Sequence, residues 1–458
     1  MKTTNDNTLI RNNSTQLSLT SKLSRIGLTL TLTAISCGLA VSASAQDSAV
    51  STAREKGFTI PPNVQTPIVL KTKPDAPCDL HAEGINDRAQ TLRFYANGDG
   101  YLKVHATAKQ ESQEARVQLD CTENGKVVRY PLHLLAGSSP TDEMPAPRTV
   151  MPVPKGSRFL PALTEKEAQQ LSDDELLGRG YLPRPDAVSS PDEYALWLDR
   201  ISRPITLTPP HSVSTDISHS ANVQEGAYTA ANWSGYEAHG KKRSYDAVQG
   251  EWGVPQIPVG ESGYTTYSSE WVGLDGDGTS DLVQAGSESD YVAIWPFFFA
   301  SYSTWTELLP NQPTSQGTGL GVNSGDDIVV SVYIGDSTGH RKQNGGYGWF
   351  SIWDLTSSQA VLISTALSGT YFNGVSAEWI MERPTVSGGY SELSAYLLAF
   401  MWNAGADTTN NKYKKYDTIQ NRQISMYEKY SPQGDNNLLS TVGPFGPDQM
   451  IFTWYNFH

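Results

Sequence analysis

Gln284 and Glu378 stand 94 residues apart, and each interrupts an apolar run. Gln284 lies in Asp281-Leu-Val-Gln-Ala-Gly286, just after Trp271-Val-Gly-Leu-Asp-Gly276; Glu378 lies in Ser376-Ala-Glu-Trp-Ile-Met-Glu-Arg-Pro384. Taken singly, both have ordinary explanations. A Gln in such a setting is most often a core amide bonded to backbone, although burying a lone carboxyl costs far more and needs a reason. Brought to one spot, they have complementary chemistry. The amide N–H₂ can donate to an oxyanion as it forms, while the carboxylate takes a proton from attacking water. Unlike a second carboxyl, the amide does this without titrating.

Other constellations fit less well. From Gly226 onward the histidines are His239, His340 and His458, and no Gly-x-Ser-x-Gly turn is present to build a Ser-His-Asp triad. A paired-aspartate site needs two Asp-Thr/Ser-Gly loops, and the nearest candidate, Asp336-Ser-Thr-Gly339, carries an extra residue. Asp275 to Asp281 has acidic residues at loop positions one, three and seven, but position twelve is Gly286, so a hairpin turn is the better reading than a calcium loop. Glu378 and Glu382 share one face of a strand and could serve as paired carboxylates of a glycosidase. Against that, Glu382 precedes Arg383-Pro384 and reads as a partly solvated strand-end charge. A carbohydrate-binding sandwich is the rival outside enzymes; such a module needs neither Gln284 nor Glu378.

The elements that must position this pair read as β. From Ala227 to His458, runs such as 328–334, 349–355, 360–363, 395–402 and 450–455 alternate with Gly, Asn, Asp and Ser clusters. Short strands with few helices predict a two-sheet sandwich or a barrel. Strand parity puts Ser376, Glu378, Ile380 and Glu382 on one face, and Leu282 with Gln284 on one face.

Upstream, residues 62–136 read as a small β-domain. It has one expected hairpin through Asn97-Gly-Asp-Gly100 and a second through Asn124-Gly125. Residues 137–225 are Pro-rich with short helices. Thr164 and Ser172 each begin a capping box, and a third helix starts at Ser190 with Pro191 at its first position. Its stripe of Tyr194, Trp197, Leu198 and Ile201 must dock on something, and a pro-segment lying on the 226–458 domain is the expectation. A processing cut is then expected in the polar stretch 206–223.

The first 45 residues read as a secretory signal: Lys22 and Arg25, an apolar run from Ile26 to Val41, and Ala43-Ser-Ala45 as the cleavage site, followed by a linker over 46–61. The expected location is extracellular or periplasmic, with no membrane attachment after signal cleavage. Export permits a disulfide between Cys78 and Cys121, the two cysteines of the mature chain. No cysteine follows Cys121, which excludes thiol catalysis downstream. The net charge of −14 disfavours a nucleic-acid partner. From Gly226 onward 23 Asp and Glu face 11 Lys and Arg, so this part holds most of the negative charge.

Several segments, in order, resemble the glutamic peptidases (eqolisins, the scytalidoglutamic and aspergilloglutamic peptidase family). Asn232-Trp-Ser-Gly235 is similar to the family's Asn-Trp-x-Gly signature, and Trp252-Gly-Val-Pro255 to the strand that ends in Val-Pro. Trp271 to Gly276 matches Trp-Val-Gly-Ile-Asp-Gly with Leu for Ile, and Leu282 to Gly286 resembles the segment with the catalytic Gln. Trp305-Thr-Glu307 with Pro310 resembles Trp-Tyr-Glu-Trp-Tyr-Pro, and Ala377 to Ile380 with Glu382 the segment with the catalytic Glu. The resemblance covers 226–458. It implies a jelly-roll-like all-β sandwich of two antiparallel sheets, a cleft across one face, and endopeptidase action on proteins or peptides in acid, without cofactor or metal. A monomer is expected. By position, Gln284 and Glu378 become the catalytic pair, and Trp271, Asp275, Trp305 and Glu307 substrate-binding or supporting residues. The chain departs from the pattern by an apolar insertion, Ile294 to Phe299, and by a degraded Trp305-to-Pro310 segment.

Overall fold

The computed structural model describes residues 50–83, 89–110, 112–137, 151–219, 229–258, 265–367, 372–408, 412–428 and 437–457. The expected signal segment and residues 220–223 of the expected cut region lie outside them. Residues 48–458 cluster as one compact unit.

Two large sheets face each other, as the all-β reading expects. The first runs, in spatial order, through Asn421–Glu428, Trp233–His239, Ser376–Glu382, Thr266–Asp275, Leu282–Ile294, Phe297–Leu309 and Gln316–Gly321, every neighbour antiparallel. The second runs through Gln449–Trp454, Leu398–Thr408, Tyr245–Gly253, Asp327–Gly335, Tyr347–Asp354 and Gln359–Ala366, again antiparallel. Side chains of period two decide what lies between them. Val272, Leu274, Val283, Ala285, Ala377, Trp379 and Met381 of the first sheet meet Val248, Trp252, Val330, Phe350, Ile352 and Met401 of the second. The opposite parity of the first sheet (Trp271, Leu282, Trp305 and Ile380) forms a separate cluster with Trp233 on the outer face. That outer face carries Gln284 and Glu378.

The N-terminal strands depart from the expected pairing. Glu114–Glu123 and Lys126–Ala136 do form a hairpin through Asn124-Gly125, both residues with positive φ. Ala89–Tyr95 and Tyr101–Ala108, however, do not pair with each other. The former pairs with Pro77–Glu83, and the latter with Thr66–Lys71 on one edge and Phe297–Ala300 on the other. Asn97 turns the chain by accepting the backbone N–H groups of Asp99 and Tyr101 on its side chain. The apolar faces around Leu92 and Phe94, and around Leu102 and Val104, therefore meet across a core instead of side by side. Phe297 and Phe299 enter that same core, so the apolar insertion is the arm on which these strands continue the first sheet. Cys78 and Cys121 sit opposite each other in register and are joined by a disulfide.

Helices Glu165–Gln170 and Asp173–Arg179 begin with complete capping boxes at Thr164 and Ser172. The third, Pro191–Ile201, has no side-chain cap, because the Ser190 hydroxyl accepts the Tyr413 N–H instead. Trp197 and Ile201 pack on Val329, Trp353 and Ala360 of the second sheet. No helix among the described residues is long and apolar enough to cross a membrane.

Candidate active site

Gly273 is the centre of the site. Gln284 on one neighbouring strand and Glu378 on the other are both in register with it. Two strand spacings, roughly 10 Å, therefore separate the Gln284 and Glu378 backbones. Their side chains flank a floor that has no side chain of its own. A Cβ at Gly273 would fall 2.9 Å from Trp271 Cζ3 and 3.2 Å from Gln284 Cβ, which is why glycine belongs there.

Gln284 is fully buried. Its Nε2 donates to Glu307 Oε2 at 2.8 Å and to the backbone oxygen of His219 at 2.6 Å. Both partners are acceptors, which fixes the amide with its nitrogen toward them. Glu307 is the register partner of Gln284, so the carboxylate aims the amide from the adjacent strand. Glu378, also fully buried, accepts the Ser376 hydroxyl on Oε1 at 2.9 Å. Its Oε2 has no protein partner among the described residues and is free to take a proton. Burial, reinforced by the nearby Glu237 carboxylate, pushes the Glu378 carboxyl well above the usual range. Once ionised, it is a stronger base than a solvated carboxylate.

The other predicted residues fall in two places. Trp305 and Glu307 line the outer face beside Gln284. Trp271 and Asp275 lie on the same face, two residues to either side of Gly273, with no exposed surface. Trp271 Nε1 and Asn232 Nδ2 donate to the two oxygens of Glu382, each at 2.8 Å. The expected solvated charge at Glu382 is therefore wrong: the strand runs inward, Arg383 turns aside to the Ala231 carbonyl, and Glu382 is wholly enclosed. Asp275 accepts the backbone N–H groups of Asn373, Gly374 and Val375 at 2.7 to 2.8 Å, fixing the segment that leads into Ser376 and Glu378. Asp281 holds the Asn373 amide from the same turn, so the acidic loop is a structural hairpin.

Sequence reasoning missed His219, Glu288 and Asp290. His219 stacks flat on Trp305, ring centroids 3.7 Å apart, with Nε2 3.0 Å from Glu288 Oε2. Burial opposes its charge, but hydrogen bonds to Glu288 and Glu307 win and push the imidazole up to about 9. The signal was available in part, since Gln284, Glu288 and Asp290 share strand parity. Nothing local pointed to His219. Among the described residues, Glu237, His239 and Asp277 are close enough to chelate a cation, but Arg422 already pairs with Glu237 at 2.7 Å and with Asp277.

Residues 231–440 match the model of the Peptidase A4 family. Scytalido-glutamic peptidase bound to a peptide-based transition-state analogue aligns at 19% identity and a TM-score of 0.37, over 49% of this chain and 98% of that one. SCP-B, a member of the eqolisin family of peptidases, in complex with the tripeptide Ala-Ile-His, aligns at 18% identity and a TM-score of 0.35, over the same shares. A comparison with curated proteins finds no match.

Proposed function

We propose that this chain is a glutamic peptidase of the Peptidase A4 family, whose model residues 231–440 match, and that it acts as an exported acid endopeptidase whose catalytic pair is Gln284 and Glu378. The observation that carries the assignment is their common register with Gly273: a fixed amide donor on one side and a free carboxyl oxygen on the other.

A scissile carbonyl placed where Gln284 Nε2 can donate is polarised toward the amide. The ionised fraction of Glu378, the minor form in acid because burial raises its pKa, takes a proton from a water, whose oxygen adds to the carbonyl carbon, and the tetrahedral oxyanion is held by Gln284. Protonated Glu378 then gives its proton to the leaving amine. Glu307 keeps the amide aimed, Trp305 forms a wall for the substrate, and Trp271 and Asp275 support the pair from either side of Gly273. Acid suits this site because Glu288, Asp290 and Glu382 are all buried nearby and pushed upward, burial being the main cause in each. Ionised together, they would repel.

The apolar run at 26–41 supports export, and the mature enzyme acts as a monomer on protein substrates. The strands of 62–136 serve as an accessory module, and 137–225 as a pro-segment whose helix Pro191–Ile201 packs on the second sheet. Digestion of a denatured protein at about pH 4, where free carboxyls are near their midpoints, tests the reading. Fragments should appear, and neither chelators nor inhibitors shaped for an aspartate pair should prevent them. Full inhibition by a chelator would contradict it.

A further inference from the structure

Residues 205–219 carry no hydrophobic period, yet they are threaded along the enzyme. Ile205–Thr208 pairs in parallel with Gln359–Ala366. Val213–Ser214 pairs antiparallel with Gln316 and Gly317. Thr215 N donates to the Ser315 carbonyl, and Ser315 N donates to that of Ile217. On its other side Ile217–Ser218 pairs with Thr385–Val386. Asp216 is pinned by Arg93 at 3.0 Å and by the Tyr95 hydroxyl at 3.1 Å. An extended segment hydrogen-bonded by backbone on both sides is how a groove holds a peptide of variable sequence.

The segment enters the site with His219. The His219 N–H donates to Glu307 Oε2 at 3.0 Å, and its ring fills the space between Trp305, Glu288 and Glu307. Its carbonyl oxygen accepts Gln284 Nε2 at 2.6 Å, the very hydrogen bond a scissile carbonyl must accept. A groove filled in this way cannot hold a second peptide.

We propose that Val213–His219 is the enzyme's own first substrate, bound as the acyl side, and that His219–Ser220 is the bond it hydrolyses in itself. The inference rests on the catalytic reading above and adds to it the occupant and the bond. Water contributes its hydroxyl to the His219 carbonyl carbon, and the C–N bond to Ser220 breaks. The water's proton passes through Glu378 to the departing nitrogen, leaving a carboxyl on His219 and an amine on Ser220. Until then the chain is inactive toward other proteins.

The full-length wild-type chain, acidified and sampled over time, should yield a new N-terminus at Ser220 by sequencing and intact mass. Activity on a denatured protein should rise with the same time course, and Glu378→Gln should stay intact. A synthetic peptide of residues 211–219 should inhibit the matured enzyme competitively. Replacing its His219 equivalent by Ala should weaken it roughly 10- to 100-fold, the loss of a charge-assisted hydrogen bond. An intact chain that already digests denatured protein, or activation by a cut at another bond, overturns this inference and leaves the catalytic reading standing. Failure to cleave either itself or any denatured protein overturns both.

Discussion

Gln284 and Glu378 lie directly opposite one glycine from its two sides, and Gly273 separates them by its missing side chain. Gly273→Ala puts a methyl against Trp271 and Gln284 at distances that require one of them to move. Overpacking of this kind costs about 1–3 kcal/mol. Thermal melts should show that modest loss, while kcat falls more than KM changes, because the displaced group is the amide. A variant with unchanged kcat would show that the floor between the pair is not shaped for the reaction.

Gln284→Ala removes an oxyanion donor and should lower kcat on the order of 10²- to 10³-fold. Gln284→Glu should be no better. It faces Glu307, whose Oε2 lies 2.8 Å from the present nitrogen, so two carboxyls would share one proton and the donor to substrate would be lost. Steady-state kinetics on a peptide substrate measure both, and an active Gln284→Glu enzyme would remove the amide from the mechanism.

Glu382 holds the indole of Trp271 and the amide of Asn232 together. Glu382→Ala strands two buried donors, at about 1–3 kcal/mol for each. A melting temperature lower by several degrees should result. Glu382→Gln keeps an acceptor and should be milder and substantially active. Should Glu382→Gln abolish turnover without changing the melt, Glu382 would be acting on substrate and the base would have to be reassigned.

Stability should increase as pH falls from neutral toward about 4. Burial raises Glu270, Glu288, Asp290, Glu378 and Glu382 well above the ordinary carboxylate value, and Asp275 to about 7. A group whose folded pKa exceeds its unfolded one contributes stability below the unfolded pKa and loses it as pH rises through the folded one. For these acids the loss therefore falls between about pH 4 and 7 and above. Surface ion pairs such as Arg93–Asp79 are partly exposed and contribute little to this balance. Melts at about pH 4 and pH 7 decide it; a higher melting temperature at the neutral end would contradict the assignment of buried neutral carboxyls.

Strand parity made the site legible. The alternation in Leu282 to Gly286 and Ser376 to Glu382 already separates Val283, Ala285, Ala377 and Trp379 from Gln284 and Glu378, and the two sheets keep that separation. The capping boxes at Thr164 and Ser172 were equally local and equally readable. What was not legible depends on distant partners. Asn97 could close a hairpin, but the edge offered by Phe297–Ala300 took the strand that followed it. Glu382 looks solvated beside Arg383-Pro384 until Trp271 and Asn232 arrive from 111 and 150 residues away. His219 sits in a stretch with no periodicity, and its place is set by Trp305, Glu288 and Glu307 together.

The most direct test of the central claim is the turnover of Glu378→Gln after the segment ahead of the enzyme has been removed in trans by a trace of tagged wild-type enzyme, itself then withdrawn. Circular dichroism first establishes that the variant is folded. The account predicts hydrolysis of denatured protein slower by at least 10² to 10⁴, the usual worth of a positioned acid–base group. A processed, folded Glu378→Gln enzyme that cleaves at the wild-type rate would contradict it.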